Sequence, residues 1–194
     1  MNLPQFFTLL RIFISPAFPL LYLKHEVLGL PLIAVPYLLL TLLIICESSD
    51  LFDGFLARRR NQVTDVGKVL DPMADSIAHI SLFLTFTQGI VQLPLLLVFV
   101  FLYRDLFIGA LRTICALRGV ALGARTSGKA KTVIQGGAAF LILILMIPCL
   151  MGWISLELFQ QLSFAAASLA ALCTVAAVGD YLYANRIHIK KAFV

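Results

Sequence analysis

The chain has 194 residues, 61% of them hydrophobic and 13% charged, with a formal net charge of +5. Soluble domains carry about a quarter charged residues, so this composition, with a mean hydropathy of +0.98, excludes an ordinary soluble enzyme. It implies a polytopic membrane protein with a single domain over residues 1–194, and no nucleic-acid partner is expected.

A helix that crosses a bilayer needs about twenty mainly apolar residues. The first candidate, roughly Phe6 to Leu23, is interrupted by Arg11, Pro16 and Pro19, and the prolines predict a kink. Val27 to Cys46 runs without a charge. Ser76 to Tyr103 is also uncharged but too long for one span, and Thr87-Gln88-Gly89 with Pro94 marks the expected break. Thr132 to Leu156 and Leu158 to Gly179 supply two more, separated near residues 152–161. The reading is an all-α membrane bundle of about six transmembrane helices. Ala165-Ala166-Ala167 and Ala170-Ala171 give the last span a small-residue face suited to close packing in lipid, within the bundle or in a dimer.

Six spans put both termini and loops 2–3 and 4–5 on one side. That side holds Arg58, Arg59, Arg60, Lys68, Arg112, Arg118, Arg125, Lys129, Lys131, Arg186, Lys190 and Lys191, against Lys24 alone in the opposite loops. The asymmetry predicts that both termini are cytoplasmic. No basic leader, cleavage site or Arg- and Ser-rich presequence is visible, so the chain is expected to stay whole. Cys46, Cys115, Cys149 and Cys173 have no C-x-x-C spacing and read as core residues. His79 lies four residues beyond Asp75 and could share its face, although a polar helix residue satisfied by a neighbour is the more ordinary reading.

The chemistry is concentrated between the second and third spans. Asp50 and Asp53 are three apart, and Asp71 and Asp75 four apart, so each pair shares a helix face. Carboxylates beside membrane spans are costly and usually functional. Two such faces can hold hard divalent cations against a phosphate-bearing substrate. A polar hairpin in which the acids merely pair with Arg58, Arg59, Arg60 and Lys68 would explain the charges but not the intervening glycines.

The full pattern, D-x2-D-G-x2-A-R-x8-G-x3-D-x3-D, is carried by Asp50, Asp53, Gly54, Ala57, Arg58, Gly67, Asp71 and Asp75. It resembles the signature of the CDP-alcohol phosphotransferase family, with no departure in spacing. The resemblance implies that Asp50, Asp53 and Asp71 ligate metal. It makes Asp75 the general base, with a possible share in ligation. Two Mg²⁺ ions per site, or Mn²⁺, would bridge the pyrophosphate of the donor lipid. Gly54 and Ala57 leave room for the cytidine, Arg58 meets a phosphate, and Gly67 lets the partner helix approach. Asn2-Leu3-Pro4-Gln5-Phe6-Phe7-Thr8-Leu9-Leu10-Arg11 resembles the opening of the phosphatidylglycerophosphate synthase branch, which adds Thr8 and Arg11 to the nucleotide site. Arg104-Asp105, Leu111-Arg112, Gly128-Lys129-Ala130-Lys131-Thr132 with Gln135, and Asp180-Tyr181-Leu182 fit the same branch. Gln5 and Ser76 depart from it, where Asn and Lys are usual.

That branch implies CDP-diacylglycerol as donor and glycerol 3-phosphate as acceptor, in the bacterial inner (cytoplasmic) membrane, with the site facing the cytoplasm and a homodimer as the usual assembly. Independently, Arg104, Arg112, Arg118, Lys129 and Lys131 form a basic group able to bind an acceptor phosphate. The positive-inside bias and attraction to anionic membrane lipid account for such charges as well. Inositol phosphate, serine or a phospholipid hydroxyl stand as alternative acceptors. A divalent-cation transporter is a more distant reading, since its carboxylates would be expected near the bilayer midplane. A catalytically silent assembly protein fits poorly with all four aspartates present.

Overall fold

The computed structural model describes residues 3–59, 65–119 and 126–193, with side chains described for 8–49, 70–119, 128 and 130–190. These residues form seven α-helices and one short 3-10 turn, with no strand among them. The helices are α1 (Leu3–Ile14), α2 (Ala17–Leu23), α3 (Val35–Arg59), α4 (Asp65–Thr85), α5 (Leu95–Leu117), α6 (Thr126–Leu150) and α7 (Leu156–Phe193).

The breaks follow the local chemistry. Pro16 separates α1 from α2 and stands at the N-cap of α2. Pro19 falls in the first turn of α2, where its missing N–H would have had no helical partner. The second expected span begins as a helix later than its apolar run does. Gly29 adopts φ +68° and Pro31 is extended, so regular helix starts only after the Leu32–Ala34 turn. Pro94 caps α5, as the expected break between the third and fourth spans requires. The last connection is shorter than residues 152–161: Gly152 turns the chain at φ +75°, α7 starts at Leu156, and it continues well past Gly179.

α7 lies along α6 and α5, α3 along α1 and α6, and α4 touches α1, α2, α5 and α6. The core is aliphatic and aromatic, with Phe18, Leu39, Leu43, Leu82, Phe83, Phe86, Phe101, Ile142, Leu143, Met146 and Phe159 fully buried. Phe83 sits 4.8 Å from Phe101 and edge-on to Phe86 at 6.0 Å, a geometry that adds to the burial itself. Ala167, Ala170 and Ala171 of α7 are buried in the same core as Ala138 and Ala139 of α6. The small-residue face therefore serves the bundle, letting the two backbones approach.

The outside is apolar too. Phe13, Leu96, Phe99, Leu106, Leu117, Leu169 and Leu172 are all more than half exposed, an exterior suited to lipid rather than water. Buried hydroxyls turn back on their own helices, as Thr85 does to the Ser81 carbonyl and Thr174 to that of Ala170. Three stretches are long and apolar enough to cross a membrane among the described residues: Leu32–Ser49, Ala130–Leu150 and Leu156–Lys190. The chain is thus an all-helical integral membrane protein. All four cysteines are free, with Cys46 and Cys115 buried.

The loop after α4 is clamped by side chains. The Tyr22 hydroxyl donates to the Gln88 carbonyl (3.3 Å) and accepts the Ile90 N–H (3.0 Å), while Gln160 donates to the Ile90 carbonyl (2.9 Å). Gly89 passes through with φ +65°, and a Cβ there would lie 2.6 Å from the Tyr22 ring.

Candidate active site

The D-x2-D-G-x2-A-R half of the motif occupies the last turns of α3, and the G-x3-D-x3-D half opens α4. The two helices touch each other. The helical backbone therefore carries Asp50, Asp53, Gly54, Ala57 and Arg58 on one element and Gly67, Asp71 and Asp75 on the next. Side-chain positions at Asp50, Asp53, Ala57, Arg58 and Lys129 lie outside the described residues, as does the surrounding of Gly54 and Gly67.

Asp71 and Asp75 are each held from another helix. Thr8 of α1, fully buried, donates its hydroxyl to Asp71 Oδ1 at 2.7 Å. Thr8, expected at the nucleotide, thus reaches one of the expected metal ligands. Arg11 follows one turn later on α1 and is buried; its charge and that of Lys131 act on the Asp75 carboxylate. Thr132 of α6 lies 3.5 Å from Asp75 Oδ2. His79, one turn along α4, puts Nδ1 3.3 Å from Asp75 Oδ1, and its Nε2 is 3.0 Å from Glu47 Oε1 of α3. Residues of α1 and α6 thus reach two carboxylates of α4, and α3 meets them through His79.

The carboxylates of Asp71 and Asp75 offer oxygen donors that suit a divalent cation, and beside them stands a group in which an imidazole lies between two carboxylates. Ligand atoms of Glu47, Asp75 and His79 lie within 4.8 Å of one another. Asp71 Oδ1 is oriented by a neutral hydroxyl from α1, the kind of outer support that ligating carboxylates receive at metal sites, and a hydroxyl of α6 stands near Asp75 Oδ2. Hard oxygen donors of this type suit Mg²⁺ or Mn²⁺.

The described basic side chains divide among separate partners. Arg104 Nη1 donates to Asp105 Oδ1 at 2.7 Å, and Lys131 Nζ contacts both Asp105 oxygens at 3.0 Å. Lys131 and Asp105 are almost completely buried, so these two cations share one counter-ion. Arg112 donates from Nε to the Tyr181 hydroxyl of α7 at 3.2 Å, with its guanidinium 5.3 Å from the ring centre. Arg118 is exposed at the C-cap of α5, where a cation complements the helix dipole.

Sequence reasoning missed Glu47. The signal was available: a carboxylate one helical turn before Asp50, at the end of an apolar run, where a lone charge is expensive. It also missed that Asp105 neutralises Lys131, a pairing across 26 positions that no local spacing announces.

Comparison with known proteins gives a consistent picture. Residues 1–178 match the family model for CDP-alcohol phosphatidyltransferase. A relative from Pectobacterium atrosepticum, named CDP-diacylglycerol–glycerol-3-phosphate 3-phosphatidyltransferase, is 31% identical over 95% of both chains. A protein of the same name from Bacillus subtilis is 34% identical over 87% of this chain and 85% of its own. One from Rickettsia typhi is 30% identical over 74% of this chain and 76% of its own.

Proposed function

This chain belongs to the CDP-alcohol phosphatidyltransferase family, and on that premise we propose that it transfers the phosphatidyl group of CDP-diacylglycerol to glycerol 3-phosphate. The products are phosphatidylglycerophosphate and CMP. The observation that carries this reading is the likeness to relatives of that name along nearly the whole chain. The complete aspartate motif across α3 and α4 supports it.

In the reaction, a hydroxyl oxygen of glycerol 3-phosphate forms a bond to the β-phosphorus of the donor. The bond from that phosphorus to the bridging oxygen breaks, and CMP leaves with the electron pair. Asp75 accepts the hydroxyl proton; its carboxylate is supported by His79 on one oxygen and Thr132 near the other. Asp50, Asp53 and Asp71, with a share from Asp75, would hold two divalent ions, Mg²⁺ or Mn²⁺. Such ions, when bound, neutralise the pyrophosphate and stabilise the attacking and leaving oxygens.

Thr8 keeps Asp71 oriented through its hydroxyl. Gly54, Ala57, Arg58, Gly67 and Arg11 line the nucleotide. Arg112 is the leading acceptor-phosphate ligand: its Nε is held by Tyr181, and the rest of the planar guanidinium suits a phosphate. Lys129 and Arg118 add positive charge. Arg104 and Lys131 act with Asp105 as a buried scaffold that carries one net positive charge to the acceptor side. About six spans, cytoplasmic termini, a site facing the cytoplasm of a bacterial inner membrane and a homodimeric assembly complete the proposal.

Purified protein incubated with CDP-diacylglycerol and Mg²⁺ should release CMP only when glycerol 3-phosphate is added, and the lipid product should carry a second phosphate. Excess chelator should stop the reaction and added Mg²⁺ or Mn²⁺ restore it. CMP release with serine or inositol phosphate but not glycerol 3-phosphate would overturn the acceptor assignment. Full activity in chelator would overturn the role of the ions.

A further inference from the structure

We infer that Glu47 and His79 form a positioning pair that fixes the rotamer of Asp75, a role that rests on the proposed function. His79 is buried inside an apolar bundle, at 2% exposure, where an imidazole must find partners or destabilise the fold. Both ring nitrogens face oxygen. Nδ1 lies 3.3 Å from Asp75 Oδ1 and 3.2 Å from the Asp75 carbonyl, and Nε2 lies 3.0 Å from Glu47 Oε1. The hydrogen bond of Nδ1 goes to the Asp75 carbonyl, while the two carboxylates meet the ring as close contacts and Nε2 has no aligned hydrogen-bond partner among the described residues; the ring lies between α3 and α4.

The packing behind it closes the arrangement. Gly136 of α6 is buried, and a Cβ at that position would come within 3.4 Å of Glu47 Oε1 and 3.6 Å of His79 Nε2. The α6 backbone thus backs the pair directly. The imidazole, 3.3 Å from Oδ1, favours one orientation of the Asp75 carboxylate in this scheme, and Oδ2, at 3.5 Å from the Thr132 hydroxyl, is the oxygen that receives the proton of the acceptor. His79 touches neither substrate in this scheme. It acts through Asp75, and Glu47 acts through His79.

The test separates the two ring nitrogens. In His79→Asn the side-chain amide reaches the region of Nδ1 and keeps a donor toward Asp75; in His79→Gln the amide reaches the region of Nε2 and meets Glu47 instead. CMP release from CDP-diacylglycerol is measured while each substrate is varied, together with Mn²⁺ stoichiometry and thermal unfolding of each variant. His79→Gln should lose about tenfold to a hundredfold in kcat, the range of one charge-assisted hydrogen bond, with both KM values within about twofold of wild type. His79→Asn should recover most of kcat, and Glu47→Gln should fall between the two. Equal losses in His79→Asn and His79→Gln, or losses that track the unfolding temperature alone, overturn the positioning role. A variant that binds one Mn²⁺ fewer per chain makes the cluster a metal site and overturns it too. A wild type that releases no CMP with any acceptor overturns the transferase reading and this role together, whereas an active wild type with unranked variants overturns this role alone.

Discussion

Replacing Thr8 with Val tests how the site is held together. Valine fills the volume of threonine, so the substitution removes one hydroxyl without opening a cavity. The bond lost is 2.7 Å long, joins α1 to α4 and ends on a carboxylate, and Thr8 is completely buried. Water cannot easily replace it. A hydrogen bond to a charged group contributes about 1.5–3 kcal/mol, and 1.4 kcal/mol corresponds to about a factor of ten. If that energy holds Asp71 in the geometry that turnover requires, Thr8→Val should lower kcat/KM by about tenfold to a hundredfold. The affinity for Mn²⁺ should weaken in parallel. Thr8→Ser keeps the hydroxyl and should stay within a few-fold of wild type. The assay is CMP release from CDP-diacylglycerol with Mn²⁺ titrated. Wild-type turnover and Mn²⁺ affinity in Thr8→Val would refute the reasoning, because Asp71 would then be oriented by something else.

Asp105→Ala leaves Arg104 and Lys131 buried beside each other without their shared anion, and breaking a buried pair this way costs about 3–5 kcal/mol; thermal unfolding should drop sharply, and Lys131→Met in the same chain should restore part of the loss. Gly89→Ala imposes about 1–2 kcal/mol of left-handed strain and pushes the Tyr22 ring from the loop it clamps, so stability should fall while the KM for each substrate stays unchanged. Arg112→Ala should raise the KM for glycerol 3-phosphate by about tenfold to a hundredfold with little change for CDP-diacylglycerol. Arg118→Ala, at an exposed helix end, should raise that KM far less, because solvent and salt screen an exposed charge.

The parts of this molecule that sequence reveals are those written in short-range spacing. The four aspartates announce themselves because helical periodicity turns three- and four-residue intervals into shared faces, and the structure does carry both halves on consecutive helices. Pro16 and Pro94 mark helix breaks because a ring without an N–H acts locally. Boundaries set by competition are harder. The run from Val27 is apolar throughout, yet Gly29 and Pro31 delay the helix, since hydropathy does not encode backbone angle. Partnerships across the bundle are harder still. Thr8 with Asp71 is separated by 63 positions, Arg112 with Tyr181 by 69, and Lys131 with Asp105 by 26. Each is created by helix packing alone. Glu47 illustrates both sides: its cost in an apolar setting is legible, but its partner, His79, becomes visible only when α3 meets α4.

The length of α7 gives the enzyme a vertical scale. Its 38 residues extend about 57 Å at 1.5 Å per residue, roughly twice the thickness of a hydrocarbon core. Exposed Trp153, just before its N-terminal end, is of a residue type enriched at membrane interfaces. If that end sits at one interface and α7 stands along the bilayer normal, Tyr181, which grips Arg112, lies roughly 37 Å along the axis, beyond a hydrocarbon core of about 30 Å. In that orientation α7 would act as a depth gauge, presenting a guanidinium at the level of the lipid phosphates. Hydrophobic mismatch tilts or sinks such a helix. Turnover reconstituted in vesicles should accordingly peak at one acyl-chain length and decline in both thinner and thicker bilayers.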